Sequence, residues 1–352
     1  MKQVKKPIQM LLGALALSSV MAPVAQAGNS KLLATGGVTQ FEGAAGGGLV
    51  PWALIGGYGT DTEIGATSFV TTVQTSAYDL NVLGATVGFY DRVEVSFAHQ
   101  NLGVDSSVIR NTNEALTGLV RTLSGDPTVQ NQLINPGTNI KQNVFGFKVR
   151  LFGDAVYSQA DYIPQVALGV QYKRNQDFDS GVNVVALGNV GVPKLLGAKS
   201  ASGTDIYLAA TKVFLGVPFG KRLLVNATVR ATKANAFGLL GFGREVINPL
   251  NGQFVDSDNS YKFLPEASVG LFMSENVVLG AEVRRQGNRL DNQPILGVLG
   301  APRLAKEDTA WDAFVAYVPN KSVAFTAAYV DLGNLPFQET SSGFYLSAQA
   351  SF

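Results

Sequence analysis

The last nine residues, Phe344-Tyr345-Leu346-Ser347-Ala348-Gln349-Ala350-Ser351-Phe352, alternate in polarity. Positions 344, 346, 348, 350 and 352 are apolar; 347, 349 and 351 are polar, and Tyr345 is amphipathic. A period of two describes a strand with one oily face and one wet face. Such a strand is stable only where each face meets its own surroundings, so a chain closing on it must be folded around sheets.

The opposite end carries an export signal. Lys2, Lys5 and Lys6 make a basic start, Met10 to Val20 an apolar stretch, and Ala25-Gln26-Ala27 a small-x-small cleavage site. The pattern predicts a signal peptide over 1–27, with cleavage after Ala27 and a mature chain beginning at Gly28. The apolar stretch falls short of the roughly 20 residues a membrane helix needs. The chain has no cysteine, which suits an oxidising compartment.

Composition narrows the class. Charged residues are 15 % of the chain, against about 25 % in soluble domains. Beyond Gly28 no stretch approaches the length of a spanning helix. Lipid admits only helices and closed sheets, so an exported, charge-poor chain without such a helix points to a transmembrane β-barrel. Loss of the signal removes three lysines and no acid, taking the formal charge from +1 to −2. That leaves no basis for nucleic-acid binding.

Alternation recurs along the chain. Phe145, Phe147, Val149 and Leu151 oppose Gln142, Gly146, Lys148 and Arg150; Leu223, Val225, Ala227, Val229 and Ala231 oppose Asn226, Thr228, Arg230 and Thr232. Segments 164–173, 276–285 and 308–318 repeat the pattern. Lengths near ten match tilted membrane strands. Counting back from 343–352 gives strands near 322–332, 308–318, 276–285, 262–273, 221–233, 205–215, 161–173, 141–152, 92–102 and 78–90. One more comes from 49–58 or 63–74. The expected fold is all-β, an antiparallel barrel of 12 strands, or 14 if both segments and a further short strand form. Its connections are short and long by turns, with the long ones near 103–140, 174–203, 234–259, 286–306 and 333–342. The Gly-rich segment 28–48 does not alternate. It is either a plug inside the lumen or a loose lead, with the barrel occupying 49–352.

A strand ending on a terminal Phe resembles the closing strand of Gram-negative outer-membrane barrels, although Ala350 stands where that pattern usually has a bulky residue. The resemblance implies residence in the cell outer membrane, contact with its lipid and lipopolysaccharide, and Phe352 as the signal read by the assembly machinery. The run Gly28-Asn29-Ser30-Lys31-Leu32-Leu33-Ala34-Thr35-Gly36-Gly37-Val38, continuing through Gly46-Gly47-Gly48 to Pro51-Trp52-Ala53-Leu54-Ile55, is similar to the start of an exported proteobacterial family known as domain of unknown function 3034. Ala231 to Asn235 and Phe237 to Phe242 share the likeness. It supports the barrel and supplies no activity or site residues.

Little in the sequence speaks for catalysis. His99 is the sole histidine, and the serine context of a phospholipase barrel is missing around it. No Cys or His cluster suits a transition metal. Asp177 to Gly181 and Asp256 to Asn259 lack the distal Glu of a calcium loop. The expectation is therefore no enzyme, no metal and no cofactor.

The inward faces carry more information. Arg92, Glu94, Lys148, Arg150, Lys173, Arg230, Lys262, Glu266, Glu282, Arg284 and Asp312 are expected to line the lumen, because charge on the lipid face costs several kcal/mol at mid-depth. They make either a salt-bridged interior or a polar conduit. Three apolar loops, Val182 to Leu196, Ala236 to Phe242 and Ile295 to Leu299, are expected at one mouth. A helical stripe at Leu116, Leu119, Val120 and Leu123 suggests a lid or constriction. The leading functional expectation is a passive, porin-like channel for small solutes. A transporter of hydrophobic compounds with an N-terminal plug, and a non-conducting scaffold for a partner complex, are the alternatives.

Overall fold

A computed structural model describes residues 31–36, 38–105, 139–160, 162–179, 181–184, 188–248, 253–292, 305–335 and 341–352, with scattered positions between 110 and 128. The strands are β1 (Ile64–Thr75), β2 (Tyr78–Phe89), β3 (Val93–Val104), β4 (Asn139–Phe152), β5 (Gln165–Asn175), β6 (Gly181–Val184), β7 (Gly188–Gly191), β8 (Ser202–Leu215), β9 (Arg222–Thr232), β10 (Arg244–Ile247), β11 (Phe254–Asp258), β12 (Lys262–Phe272), β13 (Val277–Arg284), β14 (Ala310–Asn320), β15 (Val323–Asp331) and β16 (Ser342–Ser351). Twelve of them close a barrel in the order β1-β16-β15-β14-β13-β12-β9-β8-β5-β4-β3-β2. All neighbours are antiparallel, and β1 seals the sheet against β16 with Thr67 opposite Ser351 and Thr75 opposite Gly343. The pairs β6–β7 and β10–β11 form two small hairpins outside the wall. A short helix, α1 (Val192–Leu195), follows β7.

The wall is turned inside out relative to a barrel built for water. Leu83, Phe147, Leu208, Val229 and Val315 point outward and are exposed, whereas Glu94, Lys148, Arg230 and Asp312 point inward and are buried. This polarity follows from the period of two in each strand. On β14 every second residue from Trp311 to Tyr317 is exposed and every second from Ala310 to Ala316 is buried. An apolar exterior without backbone edges is what lipid requires of a sheet. Outside, toward the long-connection end, Trp311, Tyr329 and Phe344 stand in sequence across three strands at centroid spacings of 5.9 and 6.1 Å, and Tyr90, Phe152, Tyr162 and Phe219 are exposed at the short-turn end.

Short turns join strands at one end, as at Tyr90 to Arg92 and 273–276. The long connections leave from the other end, apart from the two-residue link Ser76-Ala77 between β1 and β2. The wall begins at Ile64 and not at residue 49. Pro51 has no amide to give a ladder, and Ala53, Leu54, Ile55 and Tyr58 are all buried. A segment covered on every side cannot serve as a wall strand with one face in lipid. Residues 49–58 instead share the interior with 31–36 and 38–48. The stripe at Leu116, Leu119, Val120 and Leu123 and the loop Ile295 to Leu299 lie outside the described residues.

Candidate functional site: the occupied lumen

Residues 31–36 and 38–58 form a hairpin-like insert in the barrel. Both of its ends lie at the short-turn end, where the Lys31 ammonium donates to the carbonyls of Ile55 and Gly57 at 3.2 and 3.3 Å and pairs with Asp91 at 2.7 Å. The insert rises to an apex at Gln40 to Gly43 and returns. Its backbone is satisfied largely by wall side chains, as a buried irregular segment demands. Glu94 accepts from the amides of Ala45 and Gly56 at 3.2 and 2.8 Å. Lys148 pairs with Glu94 at 2.9 Å and donates to the carbonyls of Ala45, Trp52 and Leu54. Thr211 and Gln165 hold both polar groups of Ala53 at 2.8 and 2.7 Å. Glycine permits this fit at Gly47, where a Cβ would overlap the Glu282 carboxylate.

Charge concentrates at the apex. Arg284 grips the Glu42 carboxylate with both terminal nitrogens, at 2.9 and 3.0 Å. Lys173 also bonds to Glu42, and Arg230 stands 3.5 Å from it. Lys173 pairs with Asp205 at 2.7 Å, and Arg230 with Glu266 at 2.5 Å. Three buried cations thus meet three buried carboxylates, one of which the insert supplies. Isolated ions would be costly here; a neutral, hydrogen-bonded cluster is tolerated. A second acidic group lies apart from this belt. Glu282 accepts from the Leu49 amide and from Ser268, both at 2.6 Å. Asp312 sits directly opposite it across β13 and β14, and neither oxygen of Asp312 completes a hydrogen bond.

The insert is held differently below. Trp52 fills an apolar stretch of wall with Leu224, Phe272, Val278, Phe314 and Ala316, and its indole donates to Ser268 at 3.0 Å. The cavity left beside it measures about 10 Å³, room for one water molecule.

A lid closes the apex from the long-connection end. Residues 234–243 turn sharply, with positive φ at Ala236, Phe237, Gly238 and Gly241. Phe237 meets Phe41 edge to face at 5.5 Å, and its carbonyl accepts from Lys173 at 3.3 Å. Glu307, in the connection between β13 and β14, ties this lid to the rim by accepting from the amides of Ala236 and Asn288 at 2.7 and 2.9 Å. Burial pushes its carboxyl up to about 7.

Of the eleven residues expected in the lumen, eight are buried there: Glu94, Lys148, Lys173, Arg230, Glu266, Glu282, Arg284 and Asp312. Three are not. Arg92 lies exposed in the turn after β2. Arg150 sits at the short-turn rim, paired with Asp91 and with the Gly153 carbonyl. Lys262 is at the other rim, donating to the Gly287 carbonyl at 2.8 Å. Alternation assigns a face and not a depth, and all three belong to strand ends. Sequence reading missed Glu42 and Asp205. Asp205 was within reach, since it alternates with Tyr207, Ala209 and Thr211 on β8; Glu42 lies in a segment with no period.

His99 faces outward and shares a 2.7 Å hydrogen bond with Asn143. Its other outward neighbours by register, Leu83, Phe97 and Asn101, offer no hydroxyl nucleophile. Among the described residues no three His, Cys, Asp or Glu side chains group as metal ligands. Of the loop acids, Asp177 accepts from the Lys141 amide and Asp256 pairs with Lys199.

Among solved structures the chain is similar to the outer membrane protein Omp33 of Acinetobacter baumannii, with 9 % identity over 83 % of this chain and 100 % of that one and a TM-score of 0.38. It is similar to the COG4313 outer membrane channel from Pseudomonas putida F1, at 9 % identity, 86 % and 96 % coverage and a TM-score of 0.39. The outer membrane phospholipase A of Escherichia coli follows with 9 %, 84 %, 98 % and 0.37. No curated protein matches the chain. The model of the family described as "Protein of unknown function (DUF3034)" matches residues 35–349, and the chain belongs to that family.

Proposed function

We propose that this protein is an outer-membrane transport barrel for small solutes, gated by its N-terminal insert. The observation that carries this reading is how the insert is held. Much of its backbone, and Glu42 at its apex, is tied by hydrogen bonds and ion pairs to wall side chains, which water or a solute can replace. Its apolar side chains are buried as well, Val38, Phe41, Leu49, Val50, Trp52, Leu54 and Ile55 among them, so on this reading the polar ties are what a solute exchanges and the apolar contacts are what reseats the insert. A steadily open conduit is not what the occupied lumen supports, so passage requires the insert to move. The scaffold reading needs no movement. Planar-bilayer conductance separates the two. The intact chain should be mostly closed, and a folded variant lacking 31–58 should carry a steady current. A silent variant would favour the scaffold.

Placement in the outer membrane rests on the apolar exterior, the signal-like N-terminus and Phe352. On this reading the outward wall meets lipid and lipopolysaccharide, and the long connections face the outside. Cysteines at Gly188 or Asn292 should then react with an impermeant thiol reagent on intact cells, while one at Asn276 should not. Phe352, whose backbone pairs with Ala66 beside the seam, acts as the signal to the assembly machinery. Its deletion should lower the amount of folded, heat-modifiable protein, and an undiminished amount would remove that role. The function is not enzymatic on this reading: His99 faces outward, and its neighbours there, Leu83, Phe97, Asn101 and Asn143, carry no hydroxyl.

A further inference from the structure

We propose that Glu42 occupies a carboxylate-binding site belonging to the barrel wall, and that the transported solute is an organic anion carrying a carboxylate next to an aromatic or apolar group. The inference rests on the gated-transport reading and names the cargo for it.

The wall is prepared for a carboxylate independently of the insert. Arg284 presents a fork that matches two carboxylate oxygens, and Lys173 and Arg230 approach the same group from β5 and β9. Asp205 and Glu266 neutralise only two of these three cations. Withdrawal of Glu42 would leave one buried positive charge without a counterion, a state the wall avoids by taking up one anion. That anion must be small and unhydrated, because the site is walled by Tyr207 and covered by the lid. Shape adds a second requirement. Phe41 precedes Glu42 and stacks its ring 5.5 Å from the Arg284 guanidinium and 5.5 Å from Phe237. When the apex leaves, an aromatic-sized space opens beside the carboxylate space. Phe237 stays at its border, 4.8 Å from Arg284. The side chains of Phe41 and Glu42 together thus stand in for an aryl or branched-alkyl carboxylate. The site lies directly beneath the lid, so an anion that passes the lid competes with the apex of the insert. Exchange of one carboxylate for another keeps the belt neutral throughout and lowers the barrier to release.

The full-length chain tests this by chemical rescue. Glu42→Ala removes the carboxylate while leaving the insert in place and should lower the thermal midpoint of the folded barrel. Sodium benzoate should restore it by several degrees, growing with concentration as mass action requires. Sodium chloride at equal ionic strength and neutral benzamide should not. Adding Arg284→Gln should abolish the rescue. If Glu42→Ala yields no folded barrel, the otherwise intact chain with Thr39→Cys serves, since the natural sequence has no cysteine. Benzoate should speed labelling of that buried thiol several-fold, and benzamide should leave the rate unchanged. Benzoate acting no better than chloride in either assay would overturn the site. A steady current in the insert-free barrel alongside inert benzoate would remove the cargo assignment and leave gating standing. Benzoate rescue with a silent barrel would leave the carboxylate site standing and remove transport, and the cargo assignment with it.

Discussion

The insert is gripped in two unlike ways. At its apex Glu42 is held by charge, through a guanidinium fork, an ammonium and a second guanidinium. Lower down Trp52 is held by fit, in an apolar pocket with one hydrogen bond to Ser268. Charge in a confined space is specific and can be traded for another charge of the same shape. Apolar fit is indifferent to solutes in water and yields only to a change of volume. The apex is therefore suited to sensing, and the Trp52 level to keeping the insert attached.

The widest separation between the two levels should come from Glu42→Gln. It breaks a buried ion cluster on one side, a change that typically costs about 3–5 kcal/mol. The midpoint of heat-modifiability should fall sharply, and a loss no larger than that of a neutral surface substitution would make the apex ordinary. Acidity should act next, through the lid that covers the apex. The Glu307 carboxyl titrates near 7 in the folded protein against an ordinary 4.5. A raised value means that the protonated form suits the fold. The lid is fully stabilised below about pH 4.5, and about 3 kcal/mol is lost as pH rises through 7. The protection factors of the Ala236 and Asn288 amides, after correction for intrinsic base-catalysed exchange, should fall between pH 5 and 8, and Glu307→Gln should flatten that fall. Lys262 and Arg289 are the nearby cations that oppose the shift. A profile unchanged by Glu307→Gln would assign the pH response elsewhere.

Trp52→Phe probes the other level. It loses the bond to Ser268 and part of a ring, about 1–2 kcal/mol in sum. Added benzoate should not recover that loss, in contrast to the apex. Recovery at both levels would erase the distinction. The smallest effect belongs to Lys31→Met at the entry of the insert. The Lys31–Asp91 pair is partly exposed, at 12 % and 20 %, so its removal should cost about 1 kcal/mol or less. Faster proteolysis near residue 31 with little change in midpoint is the expected readout.

The contrast also explains what could be read from the sequence. The wall was legible because each of its strands lies between two solvents of opposite character, and alternation records that directly. Segments 142–151 and 222–232 announce their inner and outer faces residue by residue. The insert lies between walls on every side, so Val50, Ala53 and Tyr58 are buried without any period. Glycine density marked the stretch 28–48 as unusual but gave no sign of what Glu42 would meet. Its partners come from β5, β9 and β13, far apart in the chain and joined only by closure of the sheet. Arg92, Arg150 and Lys262 show the converse error. Their parity suited an inward face, but the membrane's edge is a matter of depth, which a two-residue period does not encode.

Lys31 touching the carbonyls of Ile55 and Gly57 means that the insert enters and leaves by the same mouth. No strand of it passes through the barrel from end to end. The arrangement is topologically unthreaded, like a finger in a thimble. The wall can close around an empty bore during insertion and receive the hairpin afterwards. On the gated reading proposed above, the hairpin would back out as a loop from the mouth it entered by, tethered by the residues just before β1. Return is then a local search by a leashed segment, at a rate set by tether length and independent of how many barrels the membrane holds.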